Sequence, residues 1–164
     1  MRRSAPRTLC RPVFSARRLS RGIEEGKRVN SKVVLKNGMH FMGELEGFEI
    51  PIDAAPSVGG QNKGPRPKGL LLTSLAACTA MDVISILRKM RTEPESFSVE
   101  ARAEVTDDHP KVFEKIHITY VLKGAGITRE KVEKAVQLSQ DKYCGVSAML
   151  KKAAPVEYEI VIEG

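Results

Sequence analysis

A chain of 164 residues, 41% hydrophobic and 29% charged, has the size and balance of one globular domain with its own core. No run approaches 18 consecutive apolar residues, and basic residues close the most apolar stretch, which argues against a membrane span. The formal net charge of +7 does not argue for a nucleic-acid surface: Arg2, Arg3, Arg7, Arg11, Arg17, Arg18 and Arg21 carry the whole excess, and from residue 22 onward 20 basic residues face 20 acidic ones.

Residues 1–22 therefore read as a separate leader. It is rich in Arg, carries Ser4, Ser15 and Ser20, and precedes the first acid, Glu24. Those are features of a mitochondrial transit peptide, removed between Leu19 and Gly26 and taking Cys10 with it. A disordered basic tail, or an arm that binds nucleic acid, is the other reading, and without import the chain is cytoplasmic. Residues 23–164 form a single domain.

In chain order, Arg28 to Leu35 predicts a strand. Lys36-Asn37-Gly38 supplies turn chemistry, Met39 to Leu45 a second strand, and Phe48 to Ile52 a third after Glu46-Gly47. Asp53 to Pro67 holds Pro56, Gly59, Gly60, Gly64, Pro65 and Pro67 and is a loop. Its Gly59-Gly60-Gln-Asn-Lys63-Gly64 segment lacks the Gly-Lys-Ser/Thr ending of a phosphate cradle.

Pro67 to Arg91 predicts one long helix, apolar almost all the way round and hence central to the fold. Ser96 to Val105 and Phe113 to Leu122 alternate with a period of two, the second placing Ile116, Ile118 and Tyr120 on one face and His117 and Thr119 on the other. His40 reads as a surface strand residue in the same way as His117. Thr128 is an N-cap candidate for a helix that places Val132, Ala135, Val136 and Ser139 at helical spacing. Cys144-Gly145 breaks it, Val146 to Ala154 restarts it, and Val156 to Ile162 closes the chain as a strand. This order predicts an α+β fold with an antiparallel sheet.

The chemistry rests on Cys78, near the middle of the long helix, and Cys144, at the helix break. They lie 66 residues apart, too far for a CxxC motif, and His40, His109 and His117 are scattered, so no zinc-ligand spacing is present and no cofactor is implied. If the two sulfurs meet, one thiolate can attack an O–O bond and the other can condense with the resulting sulfenic acid. The alternative is two buried, inert cysteines. Asp82, one helical turn from Cys78 on the same face, disfavours a thiolate there, and Cys78 lies too deep in its helix for the N-terminal dipole to help.

Pro67-Lys-Gly-Leu-Leu-Leu-Thr-Ser-Leu-Ala-Ala-Cys-Thr-Ala-Met-Asp-Val-Ile-Ser-Ile-Leu resembles the central-helix signature of the OsmC/Ohr family, and Lys142-Tyr-Cys-Gly-Val-Ser147 resembles its second-cysteine motif. The pairing, spread over Val29 to Glu163, is most similar to the YhfA-like branch. The resemblance implies an intertwined homodimer with the central helices at its interface. It also implies reduction of organic hydroperoxides by a dihydrolipoyl-type dithiol, with Cys78 peroxidatic and Cys144 resolving. Neither nucleic acid nor membrane is among the implied partners.

Two departures follow. The family's Glu, two residues after the Pro that starts the helix, is Gly69 here, and the Arg expected at the first hairpin turn is missing from Lys36-Asn37-Gly38. Arg28 and Arg66 are the candidate substitutes. A non-peroxidase member of the same fold, with its cysteines as core residues, is the alternative that Gly69 favours.

Overall fold

The computed structural model describes residues 28–163. The leader, with its expected cleavage site, lies outside them. Three strands come first, β1 (Ser31–Asn37), β2 (His40–Leu45) and β3 (Phe48–Ile52), followed by the long helix α1 (Pro67–Lys89). Strands β4 (Ser96–Val105) and β5 (Phe113–Lys123) follow, then α2 (Arg129–Leu138), α3 (Gly145–Leu150) and β6 (Val156–Glu163).

The strands form two three-stranded sheets, β1-β2-β3 and β4-β5-β6. Hairpin chemistry builds the first. Asn37 pairs with His40, so the tight turn is Gly38-Met39, with Gly38 at φ 52°, one residue later than the Asn-Gly pair suggests. Leu45 pairs with Phe48 across Glu46-Gly47, both at positive φ (52° and 87°), the backbone pattern of a type I′ turn.

The second sheet departs from the antiparallel expectation at one edge. β4 and β5 are antiparallel, but β6 runs parallel to β5, with Ile116 opposite Val156 and Leu122 opposite Ile162. The cause is the connection. A chain that leaves β5 through α2 and α3 crosses over and returns in the same direction, which a two-residue turn cannot do.

The core lies between α1, α2 and the inner face of the second sheet. Ile116, Ile118, Tyr120 and Leu122 of β5 are fully buried against Leu75, Val83 and Leu87 of α1 and Val132, Ala135 and Val136 of α2. The alternation in β5 thus faces the way its sequence predicts. No residue of the first sheet joins this cluster.

The central helix differs from its expectation. Only Leu75, Thr79, Val83, Ile86 and Leu87 are buried, a single face at helical spacing. Leu71 stays 47% exposed and Met81 69%. Within one chain, only that face of the helix is fully buried.

The loop before α1 is organised by Asp53, only 1% exposed, whose carboxylate accepts the N–H groups of Ala54 (2.8 Å), Gln61 (2.8 Å) and Lys63 (3.0 Å). These amides are the ones a phosphate cradle needs, and they are already taken. Gly60 is required by space, since a Cβ there sits 1.8 Å from the Ala54 carbonyl oxygen. The Lys63 N–H foremost, opposed by burial and aided by the Gln61 and Ala54 amides and by His40, holds the Asp53 carboxyl below its ordinary value.

A carboxyl depressed in the folded state stabilises the fold above its unfolded value and loses that contribution as pH falls through its folded one. Acid titration followed by circular dichroism is expected to show a loss of stability below about pH 4 that is smaller in Asp53→Asn. That variant is expected to be less stable at neutral pH.

Neither His40 nor His117 is as exposed as a surface strand position implies. His117, half-buried, puts Nε2 3.3 Å from a Glu159 carboxylate oxygen. His40 is less exposed than a surface strand position implies: it is half-buried, and both ring nitrogens are shielded from water with no hydrogen-bond partner among the described residues.

Candidate active site at the helix break

Helix α2 does not end at Leu138. It widens into a single π turn, Ser139–Tyr143, in which the Cys144 N–H bonds to the Ser139 carbonyl at 2.8 Å. Turns of this kind add a residue to a helix and redirect the side chains that follow. Here it points Cys144 at α1. Cys144 then caps α3, its Sγ accepting the Ser147 N–H at 3.3 Å, and is 2% exposed.

On the α1 side, Cys78 is half-buried and Asp82 stands one turn further along. The Cys78 Sγ, the Cys144 Sγ and an Asp82 carboxylate oxygen all lie within 4.8 Å of one another. Both cysteines are free thiols. The two candidates are thus brought together across 66 residues of chain, and Asp82 completes a group that also has the donor chemistry of a metal site.

A buried polar network backs the group. Thr79 Oγ1 is 2.6 Å from Tyr120 Oη and 2.9 Å from Ser139 Oγ, and Ser139 Oγ donates to Asp82 Oδ2 at 3.0 Å. Gln140 Nε2 donates to Tyr120 Oη (2.8 Å) and its Oε1 accepts from Ser147 Oγ (2.7 Å). Thr79, Tyr120, Ser139 and Ser147 are fully buried and Gln140 nearly so. Five side chains from α1, β5, the π turn and α3 satisfy one another, which fixes where the π turn sits on α1. Composition gives no sign of this network. Its one sequence trace is Ser139 falling on the apolar face of α2.

The electrostatics are set by what surrounds Cys144. Burial pushes its thiol up to about 11, the Ser147 N–H pulls the other way, and the Cys78 thiol and Asp82 carboxylate add to the upward push. No cation is among these influences. Arg66, a candidate for that role, is engaged elsewhere: its guanidinium donates to the carbonyls of Gly64 (2.8 Å) and Asp53 (3.3 Å) and to the Asn62 side chain. Arg28 is exposed at the first described residue.

The family model described as OsmC-like protein matches residues 60–159, and Protein YhfA of Escherichia coli strain K12 is 32% identical over 136 residues, which span 81% of this chain and 98% of that protein. The chain belongs to the OsmC-like family. Its fold agrees. A hypothetical protein from Aquifex aeolicus VF5 superposes with a TM-score of 0.72 at 30% identity, covering 84% of this chain and 99% of its own. An organic hydroperoxide resistance protein OsmC from Legionella pneumophila gives 0.64 at 14% identity, covering 82% and 97%.

Within this OsmC-like protein, Gly69 stands in the first turn of α1, exposed, and a Cβ there meets nothing within 4 Å. The site of the missing Glu is sterically open. Gly69→Glu is expected to raise stability by about 0.5–1 kcal/mol in urea denaturation. The glycine of the first helical turn is replaced by a better helix former, and the new carboxylate lies near the helix N-terminus.

Proposed function

We propose that this OsmC-like protein is a thiol-dependent peroxidase that reduces organic hydroperoxides. The observation that carries the reading is the approach of Cys78, half-buried, to Cys144, fully enclosed, at a helix break. Cys78 attacks the terminal peroxide oxygen, releasing the alcohol and becoming a sulfenic acid. The Cys144 thiol condenses with it, water leaves, and a Cys78–Cys144 disulfide forms. A dihydrolipoyl-type dithiol then exchanges with that disulfide, restoring both thiols and leaving as its own cyclic disulfide. To bond, the sulfurs must close to about 2.05 Å, a movement that the π turn can absorb.

The Legionella neighbour's description as an organic hydroperoxide resistance protein supports this reading. With Gly69 in place of a Glu and Arg66 held in its loop, the Cys78 thiolate has little help, and turnover is slow. The working unit is a homodimer in which a second copy covers the exposed stripe of α1 and the apolar residues of the first sheet, Val33, Leu35 and Phe48. Residues 1–22 direct the chain to mitochondria.

The test is consumption of tert-butyl hydroperoxide by the processed chain with dihydrolipoamide, alongside sedimentation to read the mass of the particle. No consumption above the dithiol alone overturns the peroxidase reading. The second reading, a non-catalytic dimer, is favoured by Gly69 and predicts two thiols that react with a thiol reagent only after unfolding.

A further inference from the structure

The same three side chains have a use that no peroxide chemistry requires. Two sulfurs and a carboxylate oxygen, all within 4.8 Å of one another, come from two segments that buried hydrogen bonds from Thr79 to Ser139 and Gln140 lock together. We propose that Cys78, Asp82 and Cys144 bind a zinc ion when both thiols are reduced, leaving a fourth coordination position open.

The ligand set selects the metal. Tetrahedral zinc bound at about 2.3 Å to sulfur holds its thiolates about 3.8 Å apart, so the two sulfurs need to close by at most about 1 Å. Two thiolates suit zinc or copper(I), and the carboxylate discriminates against copper(I) while remaining an ordinary zinc ligand. Magnesium and calcium prefer oxygen alone. Three protein ligands with one vacancy is the stoichiometry of a zinc site that carries water or a substrate atom rather than one that only ties the chain together.

The surroundings are those that orient ligands. The Ser139 hydroxyl donates to Asp82 Oδ2 at 3.0 Å and the Ser147 N–H to Cys144 Sγ at 3.3 Å, so two of the three ligands are held from behind. Asp82 makes no ion pair among the described residues, leaving its charge for a cation. A cleft of about 250 Å³ lined by Asp82, Ser85, Ile86, Lys89, Leu138 and Tyr143 opens beside one of the three ligands, Asp82. On binding, each thiol releases its proton to buffer as its sulfur–zinc bond forms, and the ion replaces those two positive charges. Zinc and the Cys78–Cys144 disulfide therefore exclude each other.

The full chain, reduced and stripped of metal without oxygen, is titrated with cobalt(II) and then with zinc. One equivalent of cobalt is expected, with tetrahedral visible bands and a near-ultraviolet sulfur-to-cobalt charge-transfer band that zinc abolishes. Cys78→Ser and Cys144→Ser are each expected to lose about half of the charge-transfer intensity. Asp82→Asn, checked by circular dichroism for an intact fold, is expected to weaken binding at least tenfold, and Ser139→Ala by about 10- to 100-fold.

Octahedral cobalt without a charge-transfer band overturns the proposal, as does wild-type affinity in folded Asp82→Asn. So does unchanged binding after the two cysteines are oxidised to a disulfide. None of these readouts depends on peroxidase turnover, so failure of the zinc site and failure of the peroxidase reading are told apart.

Discussion

Cys78→Ser is expected to reduce dithiol-dependent hydroperoxide consumption to the rate of the dithiol alone, while Cys144→Ser retains a single round of chemistry. The asymmetry follows from their surroundings. Cys78 is half-buried and within reach of a small peroxide, whereas Cys144 is 2% exposed and its thiol is held protonated to about pH 11 by burial. A sulfenic acid on Cys78 that cannot pass to Cys144 persists and is trapped by dimedone, one adduct per chain, identified by mass spectrometry. Equal losses in both variants, with no adduct in Cys144→Ser, would reverse or remove the assigned roles. A serine at either position alters one atom in a well-packed site, so the folded fraction is expected to stay near that of wild type.

The largest expected stability effect lies behind the thiols rather than at them. Gln140→Leu keeps roughly the volume of the side chain but removes its bonds to Tyr120, Thr79 and Ser147. The Ser147 hydroxyl, fully buried, loses its acceptor. An unpaired buried hydroxyl together with the lost bonds is expected to cost about 2–3 kcal/mol, lowering the melting temperature by about 5–10 °C for a domain of this size. Adding Ser147→Ala removes the orphaned group and is expected to recover part of the loss, because deleting both partners of a buried hydrogen bond costs less than deleting one. A double variant no more stable than Gln140→Leu would show that the network does not act as a unit.

The fold was largely legible because its elements carry strong local signals. Phe48–Ile52 after its turn and Ser96–Val105 with its alternation fall at the predicted positions, and the break at Cys144-Gly145 is where the second helix gives way. What resisted reading was pairing at a distance. The pattern of Val156 to Ile162 marks a strand but carries no mark of its neighbour's direction, so the parallel partnership with β5 appears only when the crossover is traced. The apolarity of α1 likewise records that two faces avoid water, without saying that one chain covers only one of them.

At the site, Cys78, Asp82 and Cys144 could each be singled out, since their residue types bear chemistry. Gln140 and Ser147 could not, and Ser139 left only its place on the apolar face of α2. Polar residues in short helices ordinarily face solvent, and these are buried only because each finds its partner in another element. Arg66 shows the converse: a suitable residue type, outside the hairpin turn where the family's Arg is expected, committed to the loop that Asp53 organises.

The π turn at Ser139–Tyr143 makes the geometry of this site a matter of chain length as much as of residue identity. Each residue advances a helix by about 100°, so ordinary α geometry over the same residues, with none removed, would swing Cys144 by roughly that angle off α1; the π turn is what takes up the extra residue. A substitution that closes the π turn into α geometry thus separates two intact cysteines and silences whatever they do together. Among descendants of one ancestral fold, the spacing between the end of α2 and this cysteine is as informative a character as the cysteine itself.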